Sequence, residues 1–151
     1  MKNDQIVAKN AVLITLLIGS YFLLCKVLEV ADNPYLRFLN LAFVFFGVQN
    51  AIKESALKNG ETNYIHNLGI GIRTAAIAVI LSITGIIVYI ELINPDFLAV
   101  MNNSFLIGGD LSLAEIVISL FIEGMASSFI SAFTIMQLYK NPEKIKIKMK
   151  A

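Results

Sequence analysis

Glu123 is the residue whose placement most invites a chemical role. It follows the apolar run IVISLFI and precedes GMASSFISAF. A carboxylate facing lipid there would cost at least a few kcal/mol (~3 or more), so it must face other helices, a water-filled cavity or a partner. Paired or protonated it is structural; exposed to water it is a proton or cation site. Lys26, near the end of the first apolar run, is the candidate partner, and Glu123 with Lys26 forms the expected intramembrane polar pair. Their positions within the two runs imply a depth difference of about 5 Å at the helical rise per residue. Such a pair would fix which helices adjoin, more than it would add net stability.

Arg73, at the opening of the third apolar run, fits an anchor at the headgroups or, with His66, a ligand for a lipid phosphate. Lys144, Lys146 and Lys148 alternate with Ile and Met in a tail holding five lysines in twelve residues, a pattern suited to anionic headgroups. Arg73 and these three lysines are the expected headgroup contacts. Other constellations fail for want of partners. His66 is the single histidine, so a histidine-cluster metal site is excluded. Ser127 and Ser128 have no embedded histidine and no G-x-S-x-G around them. Gly69 and Gly71 form only a fragment of a phosphate loop, with no strand before them. Asp96 and Asp110 belong to no metal motif, and the single Cys25 can form no internal disulfide. The basic tail lacks the interleaved aromatics of a nucleic-acid surface. No catalytic residue, metal ligand or cofactor is therefore expected.

The elements that position these residues are membrane spans. Of 151 residues 57% are hydrophobic and 15% charged, against about 25% charged in a soluble domain. A span needs roughly 20 apolar residues, and the chain reads as one transmembrane domain with spans at 11–30, 35–52, 70–93 and 112–139 and a basic tail at 140–151. Residues 1–10 are polar and the run after them lacks a small-residue exit, so it reads as an uncleaved first span, not a signal peptide. Pro34 is expected to break the chain after it. The second span is the shortest, leaving lipid at Lys53 and Glu54 and stopping near Asn59 and Gly60. The apolar connection 94–109 should rest on the bilayer or plug the bundle, with a turn at Gly108 and Gly109. Ser112 and Glu115 form an S-x-x-E capping box at the start of the last helix.

Charge sets the orientation. With the N-terminus inside, Lys2, Lys9, Lys53, Lys58, Arg73 and the tail lysines, ten of the twelve basic residues, lie on the cytoplasmic side, as the positive-inside rule requires. The expected fold is thus an all-α membrane four-helix bundle with both termini cytoplasmic, in a bacterial inner membrane. Gly124, Ser128 and Ala132 recur every four residues, and Ala78 and Ser82 do so in the third span. Small residues at this spacing let backbones approach, so these five form the expected packing face, either between spans three and four or in a dimer.

The segments FFGVQNAIKE, KNGE, NLGIGIRTAAIAV and FIEGMASSFISAF resemble those of an uncharacterised family of small four-helix integral membrane proteins found mainly in Bacteroidota. The resemblance covers roughly residues 38–141. By that resemblance Gly47, Gly60, Gly71, Glu123 and Gly124 stand at the family's typical positions, while Asn63 to His66 depart from its pattern. It implies a fold and a topology and no biochemical activity.

The function expected from these features is an accessory or structural protein acting through helix contacts, with membrane lipids and itself or another membrane protein as partners and no nucleic acid. The alternatives are a small oligomeric transporter or ion conductor using Glu123, which four spans could form only as an oligomer, and a lipid-binding protein using Arg73 and the tail.

Overall fold

The computed structural model describes residues 3–30, 33–104 and 110–139. The tail lysines, including Lys144, Lys146 and Lys148, lie outside the described residues, as do Gly108 and Gly109. Helix α1 is Asn3–Val27. It begins well before the apolar run because Ile6, Val7, Asn10, Ala11 and Ile14 are all buried on one helical stripe, which the polar Lys9 between them conceals. It also ends before Pro34. Glu29 takes a left-handed conformation (φ 56°), Val30 N–H bonds to Cys25 O at 3.0 Å and Glu29 N–H to Lys26 O at 3.1 Å. These are the two bonds of a Schellman stop, which satisfies the last carbonyls of the helix.

A single 3-10 turn, Pro34–Phe38, leads into α2, Leu39–Lys58. The Tyr21 hydroxyl donates to Leu36 O at 3.2 Å and holds that turn to α1. Gly60, at φ 65°, follows the end of α2 in a conformation that costs glycine little. Helix α3, Tyr64–Val88, is capped by Asn63, whose Oδ1 accepts from His66 N–H at 3.2 Å, and continues as one π-helical turn, Tyr89–Ile93. Helix α4, Phe97–Ser104, is short, and α5 is Leu113–Leu138. The capping box forms as its sequence predicts: Ser112 N–H donates to Glu115 Oε2 at 2.8 Å and Glu115 N–H to Ser112 Oγ at 3.4 Å.

Three of these helices, α1, α3 with its π turn, and α5, are long and apolar enough to cross a membrane, and the chain is a multi-pass, all-α membrane protein. Helix α2 has the length, 20 residues, but Asn40, Gln49, Asn50, Lys53 and Glu54 make it more polar than the other three.

The register of the bundle follows from a few contacts. Asn3 bonds to His66, Thr15 to the carbonyl of Ala78 and Lys26 to Tyr89, each pair 63 residues apart. A constant offset means that α1 and α3 run parallel and level along their whole length. Helix α2 runs antiparallel to α1, with Tyr21 on Phe43, Ile14 on Gly47 and Lys9 on Glu54. Helix α5 runs antiparallel to α3, with Gly124 on Val79 and Tyr139 in the same core as Tyr64. Helices α2 and α3 pack on each other and on both remaining long helices, whereas α1 and α5 are not a packing pair. The four thus form a rhombus with α2 and α3 across its short diagonal.

Its interior is filled by Ala11, Ile14, Val44, Val48, Ile52, Ala75, Ala78, Ala132, Ile135 and Met136. At the end opposite the N-terminus, α4 plugs the bundle. Phe97 and Met101 pack there with Ile90 and Ile116, against Phe22 and Tyr89.

Candidate functional site

Polar groups concentrate where helices meet. At the N-terminal end, Lys9 of α1 donates to Glu54 of α2 at 2.6 Å, and Lys58 reaches the same oxygen at 3.1 Å. Asn10, 1% exposed, donates to the carbonyl of Ile6 at 2.9 Å and lies 3.5 Å from the other Glu54 oxygen. Asn3 bridges two further elements: its Oδ1 accepts from Asn59 and its Nδ2 donates to His66 Nε2, both at 2.9 Å. Asn67, in the first turn of α3, donates to Glu61 O in the loop after α2 at 2.8 Å. The Lys9–Glu54, Asn3–Asn59 and Asn3–His66 ties join segments that sequence alone does not place together.

The Lys9 hydrogen bond, aided by Lys58 and opposed by partial burial, holds the Glu54 carboxyl below its ordinary value of 4.5. A depressed carboxylate contributes stability above its unfolded pKa, and that contribution is lost as pH falls through the folded value. Both lysines are more than half exposed, so screening limits the contribution to about 1 kcal/mol. Thermal melts in detergent should therefore place Glu54→Gln below wild type at pH 7, with the gap closing as pH falls from about 5 to 3. A gap that persists at pH 3 would assign the loss to packing.

At the opposite end the rings of Phe22, Tyr89 and Phe97 meet edge to face, with centroids 5.0 to 5.4 Å apart. The Lys26 ammonium donates to the Tyr89 hydroxyl and stands 4.8 Å from the centre of that ring, within cation–π range. Sequence reading singled out Lys26 and missed Tyr89; only the 63-residue register brings the two together.

Glu123 sits elsewhere. It lies on the exposed face of α5 beside Ile122, and its neighbour Gly124 packs on Val79. Val79 and Tyr89 are ten residues apart on α3, about 15 Å along the helix. Lys26, level with Tyr89, is on α1, which does not pack against α5. The structure therefore sets Lys26 and Glu123 apart, and the 5 Å depth difference read from run lengths is too small. The runs misled because α1 starts eight residues before its apolar stretch, which shifts the bundle register. Arg73 is exposed on α3.

The small residues lie mainly between helices. Gly124 meets Val79, with a Cβ there lying 2.8 Å from both Val79 methyl carbons. Ser128 is buried, its hydroxyl bonded to Gly124 O at 2.7 Å. Ala132 and Ala78 share the central core, and Ser82 is half-buried with its Oγ enclosed. Two further glycines do the same work at other crossings. A Cβ on Gly71 would lie 3.0 Å from Ile52 and 3.1 Å from Val48, and one on Gly47 would overlap Ile14. Each antiparallel helix pair thus has one glycine packed directly against a side chain of the facing helix.

What this arrangement can do chemically is hold helices together at fixed depth and present outer faces to lipid or protein. Comparison of the chain with family models, curated proteins and solved structures found no match.

Proposed function

We propose that this chain is a structural or accessory membrane protein, working through helix contacts with itself or a larger complex in a bacterial inner membrane. In this reading α1, α2, α3 and α5 all cross, both termini are cytoplasmic, and the protein catalyses no reaction. The observation that carries it is the use made of polar and small residues. Lys9 with Glu54, Asn3 with His66 and Lys26 with Tyr89 each tie one helix to another, and Gly47, Gly71 and Gly124 lock three crossings. These features support a rigid platform whose remaining chemistry lies on its outer faces.

The four-crossing topology is supported by the level, alternating packing of the four long helices and by the concentration of Lys9, Lys53, Lys58 and Arg73 towards one end. Helix α2 is shielded by α1, α3 and α5, which offsets its lower hydropathy. Glu123 is a mid-depth carboxylate on an outer face of α5, and in this reading it belongs to the surface that a partner meets.

Mass spectrometry of the protein purified from native membranes under mild solubilisation tests the reading, with wild type compared to Glu123→Gln. The expected result is a co-purifying membrane protein, or a second copy, that is retained by wild type and weakened by the substitution. A chain recovered as a lone monomer in both samples, with proton or cation flux in reconstituted vesicles that Glu123→Gln abolishes, would replace it with the transporter reading.

A further inference from the structure

The outer face of α2 carries a groove. Phe38, Leu41, Ala42, Phe45, Phe46 and Gln49 line its volume of about 430 Å³, with Phe38 and Phe46 more than half exposed. Gln49 is the polar member of that lining. It stands four residues before Lys53, where α2 leaves lipid, so its carboxamide lies about 6 Å inside that edge of the membrane. It makes no hydrogen bond to a described residue.

A lipid chain could fill the apolar part of the groove but would leave the amide's two donors and its acceptor unmet, which is costly in hydrocarbon. A carboxamide is, however, its own complement: each of two can donate to the other's oxygen. Two copies inserted in the same orientation and related by a two-fold axis along the membrane normal bring each residue opposite itself at the same depth. The spacing fits as well. Phe38, Ala42, Phe45 and Gln49 recur at intervals of four, three and four, the seam spacing of two helices packed at a shallow left-handed angle. In such a seam Ala42 permits close approach, and a polar residue at one position fixes register and partner number.

We infer that the α2 groove is a self-association face, in which a second copy of this chain packs along Phe38, Ala42, Phe45 and Gln49 with the two Gln49 carboxamides hydrogen-bonded across the axis. This rests on the reading of the protein as one that acts through helix contacts, and it names the partner and the surface. It also accounts for the polarity of α2: the helix least suited to lipid is covered on its remaining side by another α2.

Thiol cross-linking in native membranes tests the inference. In a Cys25→Ala background, single cysteines are placed at Ala42 or Phe46 in the groove, and at Ile80 or Ile122 on other exposed faces, then treated with a mild oxidant or a short bis-thiol reagent. The expected result is a dimer from the two groove positions and none from the other two. Adding Gln49→Leu to the Ala42→Cys chain should weaken dimerisation about ten-fold, the effect of losing two interhelical hydrogen bonds, with the melting temperature of the monomer in detergent unchanged. Dimers from Ile80 or Ile122 with none from the groove would overturn this face while leaving self-association standing. Cross-linking at Ala42 that is indifferent to Gln49→Leu would overturn the amide contact. A monomer with no cross-link at any position overturns the inference outright, and co-purification of a different membrane protein would then still uphold the wider contact reading.

Discussion

Gly47→Ala is expected to destabilise the bundle by about 3 kcal/mol, towards the upper end of what one inserted carbon costs in a packed core. The added Cβ would overlap Cγ1 and Cδ1 of Ile14. Ile14 is 0% exposed within the central core, and its β-branched side chain has few rotamers to escape into. Either Ile14 leaves its rotamer or α1 and α2 move apart, and separation would break the level contact of Lys9 with Glu54 and of Tyr21 with Phe43. The van der Waals packing lost is what mainly holds membrane helices together. Heat-induced loss of the monomer peak in size-exclusion chromatography measures the effect. Restoring space from the other side with Ile14→Ala should recover part of the stability in the double variant. An additive double variant would mean that the two residues do not meet, and the α1–α2 register would have to be redrawn.

That register was the part of the fold least legible in the sequence. Long apolar runs identify helices whatever their neighbours, so the membrane-spanning helices were readable from composition, and the Ser112 to Glu115 cap from a local pattern. The start of α1 was only half legible. Ile6, Val7, Asn10, Ala11 and Ile14 form a helical stripe, but Lys2, Asp4 and Lys9 lower the local hydropathy below that of a span. The Glu29 stop was invisible because a left-handed glutamate leaves no sequence mark, whereas Pro34 does. The pairing of Lys26 was misassigned for a different reason. Counting residues from the ends of hydrophobic runs gives depth only if every run is centred in the membrane, and the helices here extend past their runs. The small residues marked a packed face without naming its neighbour; Gly124 needed Val79, and Gly47 needed Ile14, to acquire meaning.

Phe97→Ala should loosen the far end of the molecule selectively. Helix α4 has eight residues, far below the dozen or more an isolated helix needs in water, so its structure depends on the contacts it makes. The principal one is Phe97, 3% exposed and edge to face with both Phe22 and Tyr89. Truncating a buried phenylalanine costs about 3 to 5 kcal/mol; at this end of the bundle the cost should fall on docking of α4, because the central core contains none of its residues. Opening free energy sets amide exchange, so a loss near 3 kcal/mol predicts exchange of residues 97–104 faster by roughly a hundredfold. The buried stretches of α1 and α3 around Ile14 and Ala78 should keep their protection. Phe97→Leu, which keeps most of the buried volume, should give a much smaller acceleration. Hydrogen–deuterium exchange with mass spectrometry reads both variants in one experiment. Equal acceleration across the whole chain would instead mean that the plug and the core open as one unit, and that Lys26 on Tyr89 is part of what keeps the four helices closed.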